Sequence, residues 1–238
     1  MSRLFIATRG LCDWRSRLAR PEDQWRRRCS AFETAVSWEH AAGPGGGIPP
    51  DMARLLHSGG YEDATLVFAV AEHKVLLGGD GGASQCDVWA MVNTSRGMLS
   101  LSVEAKVAED FGKEMLGEWL ASGKSPGSPQ NRQKRWDHIQ KYLPRAADAY
   151  SKVRYQILHR CAAAVIEAER LGLRHAAFVV QAFEAPAERF NDFEAFCRVL
   201  RIPAERGSMA MTAVGEIPLG VGWVDCPFAT DKEVADVA

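Results

Sequence analysis

The feature that most constrains this chain is the segment from Met98 to Lys106, where from Leu99 onward apolar and polar side chains alternate without a break. Leu99, Leu101, Val103 and Ala105 fall on one side; Ser100, Ser102, Glu104 and Lys106 fall on the other. A period of two belongs to a β-strand with one face in a core. The polar side ends in a carboxylate and an amine about 7 Å apart along the strand, with Ala105 between them turned into the core. Charged groups at such a position need either open solvent or each other. The segment is therefore either the solvated outer face of an edge strand or the floor of a site.

Its neighbours follow from turn chemistry. Asn93 to Gly97 forms a turn that pairs this strand with one running from about Gln85 to Val92. Upstream, Thr65 to Val70 and Lys74 to Leu77 are expected as two strands joined by a tight turn at Glu72-His73, before the loop Gly78 to Gly82. Trp25, Cys29, Phe32, Val36 and Glu39 recur at helical spacing and predict one helix over Pro21 to Ala42, ended by the run from Gly43 to Gly47. A short helix is expected over Pro50 to Leu56, closed by Gly59-Gly60.

Downstream, Lys113 to Ala121 is expected as a short amphipathic helix, and Gly123 to Asn131 is a loop with two prolines. A long helix is expected over Asp148 to Leu171, with Tyr150, Val153, Ile157, Cys161, Ala164 and Ala168 as its buried stripe and Gly172 as its cap. Ala176 to Phe183 is apolar throughout, as a central strand would be. A helix around Phe190 to Leu200, a last strand over Leu219 to Val224 and a frayed end from Asp231 to Ala238 complete the chain. The fold class is α/β (α+β), a mixed central sheet flanked by helices, and residues 1–238 are taken as one domain.

With 238 residues, 47% of them hydrophobic, the chain can bury one sizeable core. Arg3, Arg9, Arg15 and Arg17 interrupt the N-terminal hydrophobics and no apolar run could span a bilayer, so a cytoplasmic protein without a membrane partner is expected. Cys12, Cys29, Cys86, Cys161, Cys197 and Cys226 have no close pair, which argues against a zinc knuckle or a disulfide framework. The net charge of −1 conceals an uneven distribution. Residues 1–30 hold eight arginines against three acids, residues 131–160 hold eight Lys/Arg against two acids, and residues 184–238 hold ten acids against five bases. A positive face of this kind suits a phosphate backbone; ordinary solvated helix faces would give the same counts.

The hairpin register sets Asp87 at the end of the pair far from its turn, where Glu104 also lies, so two carboxylates and an amine can converge. Two hard carboxylates, the Ala105 backbone carbonyl and waters are a ligand set that Mg²⁺ accepts. Lys106 beside them can orient or deprotonate an attacking water and offset charge on a phosphorane. Asp87, a gap of sixteen residues and then Glu104-Ala105-Lys106 resembles the D…(D/E)xK signature of the PD-(D/E)XK, restriction-endonuclease-like nuclease superfamily. The strings Ser84-Gln85-Cys86-Asp87, Glu104 to Gly112 and Arg154 to Arg160 are similar to a small bacterial branch of it. Cys86 stands where the signature has proline.

The resemblance covers roughly residues 21–183 as core, leaving 184–238 as a C-terminal elaboration. It implies Asp87 and Glu104 as metal ligands with the Ala105 carbonyl, Lys106 as the catalytic lysine, and Mg²⁺ as cofactor with Mn²⁺ able to substitute. It also implies hydrolysis of DNA, with RNA a second possible substrate, in restriction, phage defence or repair; many relatives act as homodimers. Gln156 and Arg160, four apart beside the apolar stripe of the long helix, are further candidates for reaching the phosphate, the alternative being border positions of an amphipathic helix. Glu39 and Glu109 are candidates for an extra acidic residue at the metal, with plain surface glutamates as the alternative.

Ser122-Gly123-Lys124-Ser125 lacks the earlier glycine of a phosphate-binding loop, because Glu118 stands there. The histidines show no metal-ligand spacing, and no serine lies in a Gly-x-Ser-x-Gly turn. A competing function is a nuclease-fold module that binds nucleic acid or another partner through its arginines without turnover.

Overall fold

A computed structural model of the protein describes residues 8–42, 46–78, 82–122, 128–145 and 150–237. Helices α1 (Leu11–Arg17), α2 (Pro21–Gln24), α3 (Ser30–Ala41) and α4 (Pro50–Ser58) come first. Strands β1 (Thr65–Val75), β2 (Ser84–Thr94) and β3 (Gly97–Lys106) follow as a meander, then α5 (Leu116–Ala121), α6 (Ser128–Ile139) and α7 (Tyr155–Leu171). The remainder is β4 (His175–Phe183), α8 (Ala187–Leu200), the hairpin β5 (Met209–Val214) and β6 (Ile217–Cys226), and α9 (Asp231–Val237).

The six strands form one mixed sheet in the order β1-β2-β3-β4-β6-β5. β1, β2 and β3 are antiparallel, whereas β3, β4 and β6 run parallel, with α7 crossing over between β3 and β4. On one face α7 and α8 pack Ile157, Cys161, Phe193 and Phe196 against Phe178, Val180 and Trp223. On the other, Trp38, Met52, Leu55 and Leu56 cover Val88, Leu101, Val103 and Val179. The result is the expected mixed sheet flanked by helices, arranged in three layers. Among the described residues no helix is long and apolar enough to cross a membrane.

β3 is central rather than an edge strand, and its polar side is covered. Ser100 donates to the Ala164 carbonyl at 2.8 Å, which draws α7 onto the strand where that helix presents Ala162, Ala163 and Ala164. Glu104 and Lys106 are only 1% and 3% exposed, so the solvated-face alternative does not hold. β4 is buried along its whole length, as its apolar run predicts, and Gly172 caps α7 in the left-handed region at φ 67°.

Several expectations change. The turn expected at Glu72-His73 is instead part of one continuous β1, with Glu72 in the left-handed region at φ 54°. The helix expected over Pro21 to Ala42 breaks between α2 and α3, where Arg28 turns to φ 63° and its amide donates to buried Glu33 at 2.7 Å. The long helix begins at Tyr155: Tyr150–Lys152 form a single 3-10 turn, and Leu116 and Tyr155 donate backbone amides to the carbonyls of Val153 and Glu114, which holds the link between turn and helix against the segment before α5; of its expected start, residues 148–149 lie outside the described residues.

Of the expected loop Gly123 to Asn131, residues 123–127 likewise lie outside the described residues, but Ser128 opens α6. The glycine run after α3 and the loop after β1 are described only in part, since 43–45 and 79–81 lie outside. The last strand gains a partner, β5, through a turn at Gly215-Glu216. The tail is helical instead of frayed: Thr230 and Glu233 exchange hydrogen bonds as a capping box. Arg27 also pairs with Asp231, and Glu33 accepts the Ala229 amide at 2.8 Å.

Candidate active site

The β2–β3 hairpin closes through Ser95 and Arg96 between the paired residues Thr94 and Gly97. Its backbone pairing runs in one register as far as Val88 opposite Val103. Beyond that pair the side chain of Asp87 takes over, accepting the Ala105 amide at 2.6 Å. On the other flank of β2, Ala71 pairs with Val88 and His73 with Cys86, with Glu72 and Asp87 between them. Asp87, Glu104, Ala105, Lys106 and Glu72 all line one cleft of about 500 Å³ at this end of the sheet. Its far wall is built by Arg20, Gln24, Ser30 and Ala31.

Glu104 is the hub. Lys106 Nζ donates to its Oε1 at 2.6 Å, Gln156 Nε2 donates to the same oxygen at 2.8 Å, and Arg160 Nε donates to Oε2. Gln156 and Arg160 come from the first two turns of α7, so the helix that buries β3 also supplies two polar groups to its carboxylate. Lys106 also lies 4.9 Å from the centre of the Phe111 ring, a cation–π contact that helps hold a buried ammonium. Arg160 reaches on to Ser84 Oγ at 2.8 Å, and Ser84 in turn bonds His159 Nδ1 at 2.8 Å. Burial, with the nearby Arg160, Arg135 and Lys106 charges, pushes His159 well below its ordinary value and keeps the imidazole neutral.

The three acids titrate unlike one another. Burial raises the Glu104 carboxyl, but the Arg160 and Lys106 charges and their hydrogen bonds outweigh it and hold the group below its usual range. Asp87 moves the other way: burial, then the charges of Glu104 and Glu72, lift it well above its ordinary value against the pull of Lys106 and Arg160. Glu72 is pushed up to about 7, by burial chiefly and by Glu104, while the bond it accepts from Gln85 at 2.6 Å works against the rise.

A carboxyl whose pKa is raised by folding binds its proton more tightly in the folded chain than in the unfolded one. Its stabilisation is complete below the ordinary value of 4.5 and is lost as the pH rises through about 7. Without divalent metal, the thermal midpoint should therefore fall as the pH is raised across that window, and Glu72→Gln should flatten the fall. Midpoints measured by circular dichroism at a series of pH values check this; a variant as steep as wild type would remove Glu72 as the cause.

Of the residues singled out from the sequence, the cleft gathers Asp87, Glu104, Ala105, Lys106, Gln156, Arg160 and Glu109. Glu109 sits at its rim, its Oε2 accepting the Val107 amide at 3.2 Å. Glu39 lies apart from the cleft: its Oε1 accepts from Trp14 Nε1 at 2.6 Å and from Thr8 Oγ1 at 2.8 Å, which fastens α1 to α3. Sequence reasoning missed Glu72, taken for a turn residue, and Ser84. Treating β1 as one strand would have set Glu72 beside Asp87 in register.

Among the described residues, no three His, Cys, Asp or Glu side chains already stand together as a metal-ligand group. The donor chemistry nonetheless suits a hard divalent cation. Glu72, Asp87 and Glu104 oppose one another's ionisation, and a cation among them would relieve that repulsion.

Fold and site together define a three-layer α/β/α protein whose central strand carries a buried carboxylate–lysine–arginine cluster opening into a polar cleft. The chain belongs to the family described as a domain of unknown function, DUF6946, whose model matches residues 7–227. No curated protein and no solved structure matches it.

Proposed function

We propose that this protein is a divalent-metal-dependent nuclease that hydrolyses phosphodiester bonds of DNA. The observation that carries the proposal is the meeting of Asp87, Glu104 and Lys106 in one cleft, in the order and register that the D…ExK spacing implies. Asp87 and Glu104, with the Ala105 carbonyl and waters, would hold Mg²⁺, which tolerates one or two protein carboxylates and keeps several waters. When bound, Mg²⁺ would supply Lewis acidity at the phosphoryl group.

The chain's own groups have distinct tasks. Lys106 presents a desolvated ammonium that can hydrogen-bond the attacking water or a phosphoryl oxygen and offset the charge that develops there. Gln156 holds both Lys106 and Glu104 in position, the former at 3.5 Å. Arg160 keeps Glu104 ionised by charge and hydrogen bond. Arg20 on the far wall offers a further cation to the phosphate backbone.

The test is incubation of the purified protein with single- and double-stranded DNA and with RNA, in Mg²⁺, Mn²⁺ or EDTA. Metal-dependent cleavage that Asp87→Asn abolishes is expected; absence of cleavage with every metal and substrate would overturn the proposal. One observation favours the alternative of a binding module without turnover: both oxygens of Glu104 are already engaged by Lys106, Gln156 and Arg160. That alternative predicts salt-sensitive nucleic-acid binding unaffected by Asp87→Asn and no hydrolysis.

A further inference from the structure

A second concavity, of about 330 Å³, lies between α5, α6 and the first turn of α7. Asn131, Arg132 and Arg135 line it from one face of α6, and Trp119 and Tyr155 line it from the neighbouring helices. The two rings stack nearly parallel, 3.8 Å apart and 10° inclined. Arg132 lies 5.1 Å from the centre of the Trp119 ring, and its Nη1 donates to the Trp119 carbonyl and to Ser122 Oγ.

Arg135 Nε donates to Tyr155 Oη at 2.8 Å, but its buried Nη1 has no hydrogen-bond partner among the described residues. A buried guanidinium N–H without an acceptor costs free energy unless something supplies one. No carboxylate is among the described residues lining the pocket, although Arg132 pairs with Glu114, outside that lining, at 3.9 Å. Arg135, which has no ion-pair partner among the described residues, and Arg132 beside it on the same helix face form an anion site, and the guanidinium fork fits the oxygens of a phosphate.

Position selects which phosphate. Tyr155 of the pocket and Gln156 of the cleft are consecutive on α7, while Gly82 of the pocket lies just before Gln85 and Asp87 of the cleft. The two concavities therefore lie side by side. We propose that the Arg132–Arg135 pocket is a subsite for a backbone phosphate of a nucleic-acid strand, flanking the diester in the Asp87–Glu104–Lys106 cleft. The inference rests on the nuclease proposal for its substrate class, and it names Arg135 as the principal phosphate ligand.

The experiment measures binding of a fluorescent single-stranded DNA 12-mer by anisotropy in EDTA across a salt series. The proteins are wild type, Arg135→Ala, Arg135→Lys and, as control, Lys134→Ala, whose side chain is exposed on α6 and does not line the pocket. Arg135→Ala should weaken binding roughly tenfold and reduce the slope of log K against log salt by about one. Arg135→Lys should restore the slope but only part of the affinity, and Lys134→Ala should change affinity less than about twofold. Equal affinity of Arg135→Ala and wild type, or no oligonucleotide binding by wild type, would overturn the subsite. So would Arg135-dependent binding of thymidine monophosphate as tight as that of the 12-mer, because the ligand would then be a free nucleotide.

Hydrolysis of bis(p-nitrophenyl) phosphate in Mn²⁺, a diester too small to span both concavities, separates this inference from the nuclease proposal. Hydrolysis with Arg135-independent oligonucleotide binding defeats the subsite alone. Arg135-dependent binding without hydrolysis of either substrate defeats the nuclease alone.

Discussion

Lys106→Ala should lower the rate of metal-dependent DNA cleavage by roughly 10²- to 10³-fold, the range that loss of one positioned charge-stabilising donor costs. The fold should survive. Removing the amine leaves Glu104 still paired with Arg160 and bonded to Gln156, so no charge is stranded in the interior. The check is single-turnover cleavage at saturating protein, together with thermal melts of both proteins. A variant that cuts at the wild-type rate would take Lys106 out of the chemistry, and one that fails to fold would mean the amine is structural. Lys106→Arg should recover little activity, since the planar guanidinium cannot place its donors where the ammonium does.

Glu104→Ala is expected to lower stability as well as activity. Here the lost group is the anion, and two cations, Lys106 and Arg160, are left facing each other with Glu104 no longer between them. Breaking a buried ion pair by removing one partner costs about 3–5 kcal/mol, because the remaining charge has no compensation. In a chain of this size that should lower the thermal midpoint by about 10 °C. Glu104→Gln keeps the shape and some of the hydrogen bonds and should fall between Ala and wild type. Urea denaturation of the three proteins checks the order; equal midpoints would mean that the cluster is better hydrated than its burial implies.

The sequence makes the central strand legible because burial leaves an unambiguous trace there. The alternation from Leu99 to Lys106 and the apolar run in β4 each reflect which faces are covered, and a turn anywhere within Asn93 to Gly97 brings the far ends of the two strands together; the structure closes it through Ser95 and Arg96. That is enough to set Asp87 at the same end of the hairpin as Glu104 and Lys106. Gln156 and Arg160 follow from helix spacing.

What the sequence leaves hidden depends on tertiary partners. Glu72 looks like a turn residue because its left-handed backbone is stabilised within the sheet rather than by local chemistry. The break at Arg28 depends on Glu33, whose two oxygens take amides from Arg28 and from Ala229, far along the chain. No window of neighbouring residues contains that second partner. α6 is different, because Ser128-Pro129 is a recognisable helix start that the nearby prolines and glycines masked. β5 has only a modest apolar pattern of its own and is specified by the strand it pairs with.

The far wall of the cleft, from Arg20 to Ala31, rests on contacts of Arg27 and Glu33 with the segment from Ala229 to Asp231. Glu104 and Lys106 stand instead on β3, and Asp87 on β2, strands with a neighbour on each side in the sheet. On the proposed reading, reaction chemistry and substrate grip would thus be carried by mechanically separate parts. If so, substitutions in the N-terminal helices or in α6 would retune which strand is held, and how firmly, while the buried cluster stays unchanged, leaving such a scaffold room to diversify its targets without rebuilding its core.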